Sequence, residues 1–233
     1  MNNENIKKIV EDLIATFLYA GQVALDLRDK GLKKKMKSDN TPVSNGDIKV
    51  NEILTTKIKT LTPNLPIISE ESSENKDKKN LNWIIIGTGR KLEYDYINNL
   101  EEFTLNAGLI LNNQPAGGLI FAPAKKRMFY SYGSDNAYEG IGEKKVKLEC
   151  SKNFNKNFVK FVSYSNNIKP EIESIHRKLN VKEFVKMKSS LKFCVIAAGE
   201  YDGYVAEPRA YEWDIAAGPV SYTHLRAHET STY

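Results

Sequence analysis

Residues 189–218 of the chain read SSLKFCVIAAGEYDGYVAEPRAYEWDIAAG. Its first part, LKFCVIAAGEYDGYVAE, reads as a short helix or strand followed by a hairpin-like end. Its last part, EWDIAAG, sets Asp214 two positions ahead of Ala216, Ala217 and Gly218, the pattern of a helix that opens tight against a neighbour. Standing alone, an acid at such an opening reads as a helix cap.

Two other acidic spots lie far upstream. Asp47 closes the turn-rich connector SDNTPVSNGD, residues 38–47, and Glu70 with Glu71 follows the short apolar segment PII. Taken singly, Asp47 reads as a cap and Glu71 as surface charge. Taken together, acids at strand ends and helix starts, distant in sequence, are what a site for several Mg²⁺ ions requires. Mg²⁺ takes hard oxygen ligands, usually with substrate phosphate among them, and a pair of ions activates water while stabilising a leaving oxygen.

Between these spots the pattern predicts segregated helices and mostly antiparallel strands, an α+β chain. Ile6, Ile9, Val10, Leu13, Ile14, Phe17 and Leu18 recur at helical spacing and predict a helix over 4–30, stopping near Gly31. A second helix, IKVNEILTTKIKTL, ends before Pro63. Strands are predicted at Ile67–Ile68, at WIII from Trp83, at FTLNAGLIL (103–111) and at FVKFVSYS (158–165). GGLIFAPAKKRMFYSYG (117–133) reads as two strands with a turn near Pro123 and Lys125, and PEIESIHRKL (170–179) as a helix with Pro at its start.

Composition narrows the class. The 233 residues are 41% hydrophobic, ordinary for a globular chain with a sizeable core. No apolar run approaches the ~18 residues of a membrane span, and the N-terminus does not read as a signal peptide. Two distant cysteines, Cys150 and Cys194, make no disulfide framework, so a cytoplasmic location is expected. A net charge of +5 is modest and no aromatic residues interleave with basic ones, so nucleic-acid binding is not expected. The densest basic run, Lys33, Lys34, Lys35 and Lys37, reads as a solvated helix end.

WIIIGTGRKLEYDY, residues 83–96, is harder to read. A buried strand delivers Gly87, Thr88, Gly89 and Arg90, which suit a phosphate, yet no acid follows before Glu93. The GxxxxGK spacing of a Walker loop fails, and the third glycine of a dinucleotide fingerprint is missing.

The motifs together resemble the inositol monophosphatase-like, metal-dependent phosphatases, within which the 3′(2′),5′-bisphosphate nucleotidases are most similar. The resemblance runs from about residue 5 to residue 218. TPVSNGD resembles the family's SPVTxAD segment, and IISEES its LSEE segment. EFTLNAGLI resembles EFTVNIALI, and FVSYSNN resembles ASRSH. Residues 189–218 resemble SSLKFCLIAxGxAD…EWDxAAG, the longest and most specific match.

The resemblance implies a layered α/β/α/β sandwich that lacks its last elements. Residues 1–135 would form the metal and phosphate side, and residues 136–219 an incomplete substrate side. Residues 220–233, VSYTHLRAHETSTY, fall outside the family pattern and resemble translated adapter sequence, so little core contribution is expected from them. It implies Mg²⁺ as cofactor, Glu70 and Asp214 as metal ligands, and Glu70 as the residue that orients the attacking water. Asp47 would support a threonine–water pair. Ser163, Ser189, Lys192 and Glu212 would meet the substrate's sugar or second phosphate.

The family's tryptophan-led strand ends in DPLDGTK, where two aspartates bind metal. Here those places hold Ile86 and Gly89. Gly87-Thr88 echo the loop's Gly-Thr, which implies phosphate-holding amides at both and a water-activating role for Thr88. The stretch thus reads as a metal loop without its acids. The expected activity is Mg²⁺-dependent hydrolysis of adenosine 3′,5′-bisphosphate to AMP and phosphate, impaired by that loss. The alternatives are an inositol- or sugar-phosphate phosphatase, and a catalytically dead phosphate-binding homologue. The expected partner is a small phosphorylated molecule.

Overall fold

The computed structural model describes residues 1–36, 42–69, 71, 81–86, 100–133, 135–149, 155, 157–187 and 189–205. The first helix, α1 (Asn3–Asp29), is capped by the side chain of Asn2, which accepts from the Asn5 N–H at 2.9 Å. Ile6, Val10, Leu13 and Phe17, spaced three or four apart, are all buried along one stripe. The stripe continues through Gly21, where a Cβ would overlap the ring of Phe121, so only glycine lets the helix approach the sheet this closely. The helix ends one turn before the lysine run. Gly31, at φ +89°, supplies the left-handed turn-off. Lys34 and Lys35 therefore do not lie on a helix end. They are exposed on strand β1 (Lys34–Met36), which pairs antiparallel with β2 (Pro42–Ser44).

Helix α2 (Asn45–Leu61) packs beside α1. Both helices cover one face of a seven-stranded sheet. Its strands are β3 (Ile67–Ser69), β4 (Leu81–Ile86), β5 (Leu105–Leu111), β6 (Gln114–Ala122), β7 (Arg127–Tyr132), β8 (Ala137–Glu139) and β9 (Val146–Lys147), in that order across the sheet. Among the described residues, only the β3–β4 pair of this sheet is parallel. The sheet thus runs on past residue 135 to Lys147.

Alternation along the strands divides two cores. Leu105, Ala107, Leu109, Leu119, Phe121 and Met128 face α1 and α2. Ile120, Ala122, Phe129 and Ala137 face the other way, onto Leu191, Cys194 and Val195 of helix α4 (Leu191–Ala197) and onto Val162. Each fully buried Leu or Phe contributes about 1.5–3 kcal/mol.

Val162 belongs to a second sheet, in the order β11–β10–β12: β10 (Val159–Ser163), β11 (Val181–Lys186) and β12 (Gly203–Tyr204). Helix α3 (Pro170–Lys178) lies on the far face of this sheet, where His176 meets Phe161 and Phe184 edge-on. The layers alternate helix, sheet, helix, sheet, as expected, with α3 covering the outside.

Two details differ from the sequence reading. The small sheet is parallel, because the chain passes from β10 to β11 through α3 and from β11 to β12 through α4, and each helical crossover returns it in the same direction. Among the described residues the expected hairpin-like end does not form, Gly203 and Tyr204 pairing with Phe161 and Val162 instead. β11 itself, VKEFVK, gave no strand signal, since its exposure does not alternate and half of it is charged.

Candidate active site at two sheet ends

The first group of residues forms where α2 starts. Ser44 is the N-cap and Asp47 the third residue of the helix, joined in a reciprocal capping box. The Asp47 N–H donates to Ser44 Oγ at 3.2 Å. The Ser44 N–H and hydroxyl donate to Asp47 Oδ2 at 2.8 and 2.6 Å. Both side chains are fully buried. Asp47 is thus a capping-box partner rather than the cap itself, and Oδ2 is held by two donors.

One turn further along α2, Asn51 Oδ1 accepts from the Ser69 hydroxyl at 2.5 Å. Ser69 Oγ in turn accepts from the Glu71 N–H at 3.1 Å. Ser69 pairs with Ile85 in the parallel β3–β4 ladder. The start of the acidic turn and the end of β4 are therefore fixed side by side, with α2 as the anchor. Asn51 and Ser69 were not singled out from sequence. The available signal was a polar residue four positions after Asp47, on the face that α2 buries.

Asn106 sits at the same end of the sheet, paired with Ile86 across the β4–β5 ladder. It is 1% exposed. Its Nδ2 lies 3.2 Å from Thr104 Oγ1 and 3.5 Å from the Thr104 carbonyl. Among the described residues its Oδ1 has no hydrogen-bond partner.

The second group gathers at the carboxyl ends of the parallel strands, where open α/β sheets bind ligands. Ser163 closes β10 and pairs with Lys186 at the end of β11. Its carbonyl accepts from the Met187 N–H at 2.8 Å, and its hydroxyl donates to the Ser165 carbonyl at 3.0 Å. Two residues beyond Met187 comes Ser189, whose Oγ accepts from the Leu191 N–H at 3.2 Å. Lys192, in the first turn of α4, donates from Nζ to the Ser189 carbonyl at 3.1 Å. The same Nζ lies 4.6 Å from the ring centre of Phe193 and 5.3 Å from that of Tyr204.

Ser163, Ser189 and Lys192, predicted from three positions in the sequence, thus come together. Asp47 stands on α2, in the layer across the large sheet from α4. Glu70, Gly87, Thr88, Glu212 and Asp214 lie outside the described residues, as do residues 220–233.

The donor set implied for a divalent cation is carboxylate oxygen, which suits Mg²⁺. Among the described residues no group of three His, Cys, Asp or Glu side chains gathers into a metal-holding cluster. The Asp47 carboxylate turns its Oδ2 to Ser44. Thiol chemistry at Cys194 is disfavoured: the side chain is fully buried, and burial pushes its thiol well up from the ordinary range. Among the described residues no helix is long and apolar enough to cross a membrane.

The chain belongs to the inositol monophosphatase family, whose match spans residues 5–220. Among its relatives is a 3′(2′),5′-bisphosphate nucleotidase CysQ of Aggregatibacter actinomycetemcomitans, 28% identical over 215 residues, 91% of this chain and 80% of the relative. The enzyme of the same name from Buchnera aphidicola is 31% identical over 219 residues, with the same shares covered. A crystal structure of CysQ from Bacteroides thetaiotaomicron superposes with a TM-score of 0.75 at 25% identity, covering 94% of this chain and 87% of that one.

Proposed function

We propose that this chain is a phosphomonoester hydrolase of the 3′(2′),5′-bisphosphate nucleotidase type, with weakened turnover. The observation that carries the reading is the meeting of Ser163, Ser189 and the Lys192 ammonium at the carboxyl ends of the parallel strands. A cation and small polar side chains at that edge suit a substrate's second phosphate. The names of the relatives supply the nucleotide.

In this reading residues 1–135 carry the hydrolytic side and residues 136–219 the substrate side. Water attacks the phosphorus of the 3′-phosphate, the P–O3′ bond breaks, and the 3′-oxygen leaves with a proton from water. The products are AMP and inorganic phosphate. Glu70 orients the water, Thr88 helps to activate it, and Asp47 supports the threonine–water pair. Gly87 and Thr88 hold the phosphate through their amides, and Ser163, Ser189, Lys192 and Glu212 hold the remainder of the nucleotide. Glu70 and Asp214 would hold Mg²⁺, which would supply electrostatic stabilisation of the phosphoryl group. With Ile86 and Gly89 where the family carries aspartates, few anionic ligands offset a divalent cation. That shortage favours a second reading, a phosphate-binding homologue without turnover.

Phosphate release from adenosine 3′,5′-bisphosphate with and without Mg²⁺, beside calorimetric binding of the same nucleotide, tests both. Slow Mg²⁺-dependent release is the expected result, and binding without release selects the second reading. Faster release from an inositol or sugar phosphate overturns the nucleotide assignment.

A further inference from the structure

We infer that Phe193 and Tyr204 are positioning residues that hold the Lys192 ammonium where a substrate's second phosphate is read. The inference rests on the reading above, in which Lys192 meets that phosphate.

Lys192 Nζ lies within cation–π range of both rings, and the rings meet each other edge-to-face at 6.0 Å and 88°. Phe193 is 8% exposed and follows Lys192 on α4, whereas Tyr204 comes from β12. The third contact is the Ser189 carbonyl, held at the turn into α4. The ammonium is thus gripped from three directions by groups of negative potential: a helix neighbour, a strand and a turn.

Lysine carries a flexible four-carbon stem, and an ungripped ammonium at this edge would sample many positions. The grip has a further geometric source. β12 lies parallel to β10, with Tyr204 opposite Val162, the residue before Ser163. Tyr204 therefore ties Lys192 to the strand end that carries Ser163. Gly203, just before it, leaves room for the Phe161 ring, which a Cβ there would meet at 2.7 Å. Strand order, not sequence proximity, brings Tyr204 to Lys192. The substrate class read by this arrangement is a nucleotide with two separated phosphates, one at the hydrolytic side and one at Lys192.

The test uses the full chain and four variants: Tyr204→Leu, Tyr204→Phe, Phe193→Leu and Lys192→Ala. One readout is trace labelling of lysine amines by acetic anhydride, with Lys192 quantified against the other lysines by mass spectrometry. The other is calorimetric affinity for adenosine 3′,5′-bisphosphate relative to adenosine 3′-monophosphate. Tyr204→Leu and Phe193→Leu are expected to raise Lys192 labelling and to cut the preference for the bisphosphate by roughly three- to tenfold. Tyr204→Phe keeps a ring face and is expected to behave as wild type. A merely structural role would weaken both nucleotides alike and leave their ratio intact. Unchanged labelling in both leucine variants overturns the inference, whether or not the chain binds nucleotide. A preference lost in Lys192→Ala but kept in both leucine variants overturns it alone. A preference that survives Lys192→Ala overturns the phosphate reading beneath it.

Discussion

Arg127 and Glu200, 73 residues apart in the chain, form an ion pair that ties the large sheet to the turn after α4. The same guanidinium grips Glu139 of β8 with two nitrogens, Nε at 2.6 Å and an Nη at 2.9 Å. The bond to Glu139, with Glu200 adding to it, raises the guanidinium's proton affinity further. The fork geometry of arginine lets one side chain satisfy both carboxylates.

Replacing Arg127 by Met is therefore expected to loosen α4 from the sheet. The pairs are only partly buried, so the loss is about 1–2 kcal/mol rather than that of a fully buried network. Arg127→Lys is expected to recover less than half, because an ammonium cannot span both carboxylates. Urea unfolding of the three proteins checks this. Equal stability of Arg127→Met and wild type would show that the pairs contribute nothing net.

Gly21 makes a case in which two effects oppose. Alanine in a helix interior normally gains about 1 kcal/mol over glycine. Here the added Cβ overlaps the Phe121 ring and comes within 3.0 Å of Pro123 Cγ. Overpacking of this kind costs about 1–3 kcal/mol, so Gly21→Ala is expected to destabilise. The double variant Gly21→Ala, Phe121→Leu should recover part of the loss, since the smaller side chain clears the overlap. A melting temperature that rises in the single variant would show that the ring moves aside at no cost.

The fold was legible where periodicity is clean. α1 follows from seven apolar residues at helical spacing, and the β6–β7 hairpin from its turn at Pro123. It was illegible where long-range pairing overrides local pattern. VKEFVK becomes a strand because β10 offers a parallel partner across α3, which nothing in its own composition announces. The site divides in the same way. Ser163, Ser189 and Lys192 were marked by motif resemblance, and the parallel strand ends then explain why they meet. Tyr204 went unmarked because its contact with Lys192 depends on β12 lying beside β10, and Phe193 because the ring it meets edge-on comes from that strand.

His176 gives the chain a measurable acid sensitivity. It is 5% exposed, flanked by Phe161 and Phe184, and among the described residues its Nε2 has no hydrogen-bond partner. Burial lowers its pKa from the ordinary histidine value. Above about pH 7 the ring is neutral in both folded and unfolded chains and carries no penalty. As pH falls through about 6.5 the unfolded chain takes up the proton first, so stability falls with pH in that window. His176→Phe should remove this slope. Denaturation free energies of wild type and variant between about pH 7.5 and pH 5 provide the check, and parallel curves would sink the argument.

The last prediction concerns residues 86–94. Replacing them with DPLDGTK restores two carboxylates at the end of the strand that begins at Leu81. Two aspartates placed as ligands lower the electrostatic cost of holding divalent cations: the replaced stretch carries Arg90, Lys91 and Glu93, a formal charge of +1, whereas the replacement carries two aspartates and one lysine, a formal charge of −1. The expected result is a gain of at least tenfold in Mn²⁺ affinity, read by electron paramagnetic resonance without any turnover. A second variant separates charge from loop shape: Ile86→Asp with Gly89→Asp keeps the native length and should give part of the gain. Phosphate release from adenosine 3′,5′-bisphosphate should rise in the same order. If the intact chain already binds Mn²⁺ as tightly as the replacement, other acids hold the cation. Glu93 and Asp95 would then be the first to substitute.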